Sequence, residues 1–94
     1  MIIPRMVSGV NVEKKTIEAI MALPGVAKKD LKVTVSKSGF CVFYPDDDGT
    51  KVHRCYSFMH PVKPEKAKVR YKEGRLEFKV PITEEVFGRE VKVE

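Results

Sequence analysis

Along most of the chain, apolar side chains recur at every second position. Leu31, Val33 and Val35 alternate with Lys32, Thr34 and Ser36, and Ala67, Val69 and Tyr71 alternate with Lys68, Arg70 and Lys72. Leu76, Phe78 and Val80 alternate with Glu77 and Lys79. Period two is the pattern of a strand with one face on a core and the other in water. Phe40 to Tyr44 is apolar throughout and predicts a buried strand. Val52 to Met59 predicts another, with Arg54, Tyr56 and Phe58 on one side. Turn signals separate these runs: Lys37-Ser38-Gly39, Pro45-Asp46-Asp47-Asp48-Gly49, Pro61 with Pro64, and Lys72-Glu73-Gly74. Val10-Asn11-Val12 predicts a brief strand after a short N-terminal arm over residues 1–9, punctuated by Pro4 and Ser8-Gly9. Residues 13–23 fit two templates. Ile17, Ile20 and Met21 have helical spacing, while Ile17, Ala19, Met21 and Leu23 have period two. Pro24-Gly25 stops either element. Ile82 to Arg89 is a polar connector, and Val91-Lys92-Val93 is a short extended segment. Many short strands separated by tight turns predict an all-β antiparallel sandwich, and a helix at 13–23 would make it a mixed α/β one.

The 94 residues suffice for one domain with one modest core. With 43% apolar and 33% charged residues, the chain reads as globular and well solvated. Eighteen Lys and Arg against 13 Asp and Glu give a net charge of +5, which allows weak attraction to nucleic acid or acidic membranes. The acids are interspersed among the bases, so the charge reads as a solvated surface, and nucleic acid is not the expected partner. No apolar run approaches the roughly 20 residues of a membrane span. Met1-Ile2-Ile3-Pro4-Arg5 lacks the plan of a signal peptide, so a cytoplasmic protein with no membrane partner is expected. Cys41 and Cys55 are too few for a disulfide framework and read as core thiols of a reducing compartment, to be bridged only if they sit on neighbouring strands.

Candidate chemistry is sparse. No nucleophile–base pair, phosphate-cradling glycine loop or carboxylate dyad emerges, and Ser8, Ser36, Ser38 and Ser57 have no supporting context. No catalytic or cofactor-binding residue is assigned, and the chain is not expected to be an enzyme. His53, His60, Cys41 and Cys55 are the soft metal ligands, and none has zinc-site spacing, so no metal site is expected. Asp46-Asp47-Asp48-Gly49 fails as a calcium loop, because the first ligand position counted back from Gly49 is Tyr44 and the twelfth is Cys55. Gly39 to Tyr44 has no basic residue directly before the glycine and lacks the regular aromatic offsets of an RNA-stacking strand, so it reads as a core strand.

Two stretches carry a family likeness. Ala22-Leu23-Pro24-Gly25-Val26 leads through a polar linker to Leu31-Lys32-Val33-Thr34-Val35. Further on, Val69-Arg70-Tyr71-Lys72-Glu73-Gly74-Arg75-Leu76 is followed by Val80-Pro81. Together they resemble the signature stretches of the α-crystallin domain of small heat shock proteins. Between them, Arg54-Cys55-Tyr56-Ser57-Phe58 is similar to that family's Arg-Ser-Phe-x-Leu strand. The likeness covers most of residues 10–94 and implies an immunoglobulin-like antiparallel sandwich, with residues 13–23 as a strand. It places the sandwich over 10–82 and a C-terminal tail over 83–94. The chain departs from the family at Val69, where Ala is favoured, at Arg75, where Val is favoured, and at Phe58-Met59, which replace Leu-Pro. It also lacks a long N-terminal arm. The short acidic link from Tyr44 to Lys51 stands where many members carry a long loop with a strand exchanged between subunits, which brings the chain closer to CS-domain co-chaperones and adaptors.

The resemblance implies an ATP-independent chaperone that holds unfolded client proteins and forms a homodimer or small homo-oligomer. Val91-Lys92-Val93 is similar to the family's Ile-x-Ile/Val docking motif, in which side chains at i and i+2 fill two pockets of a neighbouring domain. The groove for it, and for clients, would be formed by Leu31, Val33 and Val35 on one strand and by Ala67 and Val69 on another. Arg54 is similar to the family's strand arginine, which implies an ion pair at a dimer interface.

Overall fold

The computed structural model describes residues 5–94. The described residues form seven strands: β1 (Arg5–Asn11), β2 (Thr16–Ala22), β3 (Lys32–Val35), β4 (Gly39–Pro45), β5 (Lys51–Ser57), β6 (Lys68–Lys72) and β7 (Arg75–Pro81). They make two antiparallel sheets, ordered β1-β2-β7-β6 and β3-β4-β5. The predicted all-β antiparallel sandwich is therefore present.

The ambiguous segment is a strand. Ile17, Ala19 and Met21 face inward from β2 and pair with Val80, Phe78 and Leu76 of β7. Ile20, which fitted only the helical template, is exposed on the opposite face. The period-two set wins because a ready partner strand with the same alternation buries it. The expected arm also changes. Met1 to Pro4 lie outside the described residues, but β1 begins at Arg5 and pairs with β2 from Arg5↔Ala22 to Asn11↔Thr16. Ser8-Gly9 lies within this strand rather than in a turn. The chain reverses instead after Asn11, whose Oδ1 accepts from the Lys14 amide at 3.0 Å, with Lys15 at φ 56°.

The core lies between the sheets. Phe40, Val42 and Tyr44 of β4 meet Met21, Leu76, Phe78 and Val80. The Phe40 and Phe78 rings stack across the gap at 4.7 Å, within range for a favourable offset pair. Phe58 closes the cluster, 5.7 Å from Phe40 and 5.8 Å from Phe78. Local geometry fixes the register at two places. Glu73 and Gly74 between β6 and β7 both have positive φ, 53° and 75°, the conformation of a two-residue type I′ turn. Gly39 starts β4 so close to its neighbour that a Cβ there would collide with the Tyr56 carbonyl oxygen.

Candidate functional site

Sheet edges are where this fold leaves apolar surface and backbone groups available to another chain. The inner faces of β1 and β5 line one cleft, with Met6, Ser8 and Val10 across from Tyr56 and Phe58. With those edges facing each other, the strand orders put β3 and β6 at the opposite margin. The connector between β2 and β3 runs there and is tied to β6. The Tyr71 hydroxyl lies 2.8 Å from the Leu23 carbonyl oxygen and 2.7 Å from that of Val26. Burial holds the Tyr71 phenol above its ordinary pKa.

Leu31, Val33, Val35 and Ala67 are half-buried against the core. Val69 lies opposite Phe78 on the same inner face of its sheet, yet it is 42% exposed. The sequence-predicted groove residues thus line the uncovered margin of the sandwich, Val33, Val35 and Val69 on its two edge strands and Leu31 and Ala67 directly before them. Between them they offer branched apolar side chains and the outer hydrogen-bonding groups of β3 and β6.

Val91 and Val93 lie apart from this groove in their own chain. A 3-10 turn over Glu84–Phe87 packs Val86 and Phe87 on the core, and Lys63 Nζ pairs with Glu84 at 3.2 Å. The expected tail is therefore anchored as far as Phe87. Beyond Gly88, at φ 64°, residues 89–94 have no regular structure, and Val91 and Val93 are 76% and 93% exposed. Arg54 lies opposite Val42 on edge strand β5 and is exposed. It is in neither the Lys63–Glu84 nor the Lys79–Glu18 pair. The link after Tyr44 is a closed turn. The Asp46 amide donates to the Thr50 carbonyl oxygen at 2.7 Å, and Asp48 Oδ1 accepts from the Thr50 amide at 2.9 Å. That hydroxyl-and-amide contact with Thr50 holds the Asp48 carboxyl below its ordinary pKa.

The outer face of the β3-β4-β5 sheet differs from expectation. Cys41 and Cys55 are not core thiols. Period two turns them away from the core, opposite each other on β4 and β5, with Cα atoms 4.1 Å apart and the sulfurs joined in a disulfide. His53 stands two residues from Cys55 on the same face, its Nε2 3.0 Å from Cys55 Sγ. Its ring stacks on Phe43 at 4.5 Å, and Lys32 Nζ lies 5.7 Å from the Phe43 centroid. The ligand atoms of Cys41, His53 and Cys55 all fall within 4.8 Å of one another. Linear spacing hid this cluster, because two of its members meet only through the β4–β5 register.

Solved structures share the architecture. Heat shock protein 16.0 from Schizosaccharomyces pombe superposes with a TM-score of 0.73 over 95% of this chain and 80% of its own, at 13% identity. The fold is that of small heat shock proteins. A small heat-shock protein from Xylella fastidiosa matches at a TM-score of 0.71 over 98% of this chain and 96% of its own, at 14% identity. A mutant of hsp14.1 from Sulfolobus matches at 0.73 over 87% of this chain and 77% of its own, at 18% identity. No family profile and no curated protein sequence matches the chain. Among the described residues, no helix is long and apolar enough to cross a membrane.

Proposed function

We propose that this chain is an ATP-independent holdase of the small heat shock protein type, which captures apolar segments of unfolded proteins on its sheet edges. The carrying observation is the uncovered β3/β6 margin, where Val69 stays exposed although it shares the inner face with Phe78. An extended apolar segment laid there would add backbone hydrogen bonds to an edge and fill the gaps between branched side chains. Such capture is sequence-tolerant, because apolar burial contributes roughly 25 cal/mol per Å² whatever the side-chain order. The exposed Val91-Lys92-Val93 segment has the right form to occupy the same margin of a second copy, which would join copies into a small homo-oligomer. Arg54, exposed on β5, would pair with an acidic group of such a copy. The shared fold supports this reading.

The test is aggregation of a heat-labile protein, followed by light scattering without nucleotide. Suppression at a few-fold molar excess is the expected result, and unchanged aggregation would remove the proposal. A second reading, a CS-like adaptor for one folded partner, is favoured by the closed turn between Tyr44 and Lys51, which leaves no loop to exchange. It predicts a strict monomer by size-exclusion chromatography with light scattering, with no effect on aggregating proteins.

A further inference from the structure

We propose that the reduced form of this chain binds a borderline-soft divalent cation, Zn²⁺, through Cys41 Sγ, Cys55 Sγ and His53, and that the Cys41–Cys55 disulfide closes the site. Two thiolates and an imidazole form the donor set that selects zinc over magnesium or calcium. The three ligand atoms already lie within 4.8 Å of one another. Tetrahedral zinc with bonds of about 2.3 Å to sulfur and 2.0 Å to nitrogen needs ligand atoms about 3.5–3.7 Å apart. Once the S–S bond is open, side-chain rotation alone would bring the atoms to that spacing, with a water in the fourth position.

The scaffold supports the set. Cys41 and Cys55 are held opposite each other by the β4–β5 ladder, which continues on both sides from Gly39↔Ser57 to Pro45↔Lys51. His53 is oriented by its stack on Phe43, at an interplanar angle of 9°. His53 and Cys55 are exposed, so a cation can enter from solvent.

The gate is thiol–disulfide exchange with a dithiol reductant. A dithiol thiolate attacks one sulfur of the pair, and the mixed disulfide resolves as the dithiol closes its own S–S bond. Two electrons thus pass to the protein, and two protons complete the Cys41 and Cys55 thiols. Coordination then releases those protons to solvent.

The experiment titrates Co²⁺, as a spectroscopic stand-in, into the full chain after anaerobic reduction and removal of the dithiol. Zn²⁺ follows in competition with a chromophoric chelator. The expected result is a thiolate-to-cobalt charge-transfer band in the reduced protein, lost on adding Zn²⁺ and absent from the oxidised protein. Cys41→Ser with Cys55→Ser should abolish the band. His53→Gln should weaken binding at least about tenfold, since even partners outside the ligand shell cost 10–100-fold. Far-ultraviolet circular dichroism follows strand content throughout. No band in a reduced protein that keeps its strands would overturn the proposal, as would equal binding by oxidised protein or by His53→Gln. Loss of the strands on reduction would overturn it too, because the site needs the β4–β5 register.

Discussion

Strands β6 and β7 carry the same alternation and end in different surroundings. In β7, Leu76, Phe78 and Val80 are at most 2% exposed. In β6, Tyr71 is half-buried and Val69 is exposed, although they pair with the buried Leu76 and Phe78 of β7. The difference is position. β7 has a partner on each side and the second sheet above it, whereas β6 ends its sheet. Period two tells which way a side chain points, but not whether anything covers it. On the proposed function, this apolar inner face left uncovered at an edge is where another chain would be captured.

The comparison would break first at its centre. Phe78→Ala removes the ring that stacks on both Phe40 and Phe58 and should cost about 3–5 kcal/mol, a large part of the stability of a domain this size. Chemical denaturation would show the midpoint collapse. A loss below about 1 kcal/mol would mean that the sheets are not packed through this cluster.

Next comes the close approach at the start of β4. Gly39→Ala places a Cβ against the Tyr56 carbonyl oxygen and should cost about 1–3 kcal/mol through forced backbone shifts. Hydrogen exchange should show the first β4–β5 amides losing protection before the rest of the sandwich.

Tyr71→Phe tests the clasp between β6 and the β2–β3 connector. It leaves the Leu23 and Val26 carbonyls without the hydroxyl donor and should cost about 1–2 kcal/mol. The folded phenol titrates above its ordinary pKa of 10.0, because burial disfavours the phenolate. The folded state therefore keeps its proton over a range where the unfolded chain has lost it. This contribution is fully present below about pH 10 and is lost as pH rises through the folded value. Denaturation midpoints compared at neutral pH and above pH 10 should show wild type converging on Tyr71→Phe.

The smallest effects on stability belong to the edge and the tail. Val69→Asp, at an exposed position, and the Val91→Ala/Val93→Ala pair should each leave the denaturation midpoint within about 0.5 kcal/mol of wild type. Both should shift the assembly toward smaller species in light scattering. Burial of each valine on a neighbour contributes on the order of 1 kcal/mol, from about 0.8 kcal/mol per CH₂. A large loss of stability with no change in size would make Val91–Val93 part of its own domain.

Much of this was legible in the residues. The alternating runs name the inner faces of β3, β6 and β7, and Lys72-Glu73-Gly74 names a turn, because both are local properties of the backbone. Residues 13–23 were not decidable locally. Ile17 and Met21 suit both periods, and only the β7 partner excludes the helix. The start of β1 is hidden in the sequence because Ser8-Gly9 resembles a turn until pairing with Ala19 and Glu18 holds it extended. The cysteines were misplaced because Phe40 to Tyr44 is apolar on both faces, which hides the alternation that turns Cys41 outward. The Cys41–His53–Cys55 cluster is a property of register between strands and has no signature in linear spacing.

The most direct measurement of the docking account is amide chemical-shift mapping on the Val91→Ala/Val93→Ala protein as a peptide of residues 89–94 is added. The account predicts saturable shifts confined to β3 and β6, centred on Val33, Val35 and Val69, and their loss in Val69→Asp. Shifts confined to the β1/β5 margin, or none at millimolar peptide, would contradict it.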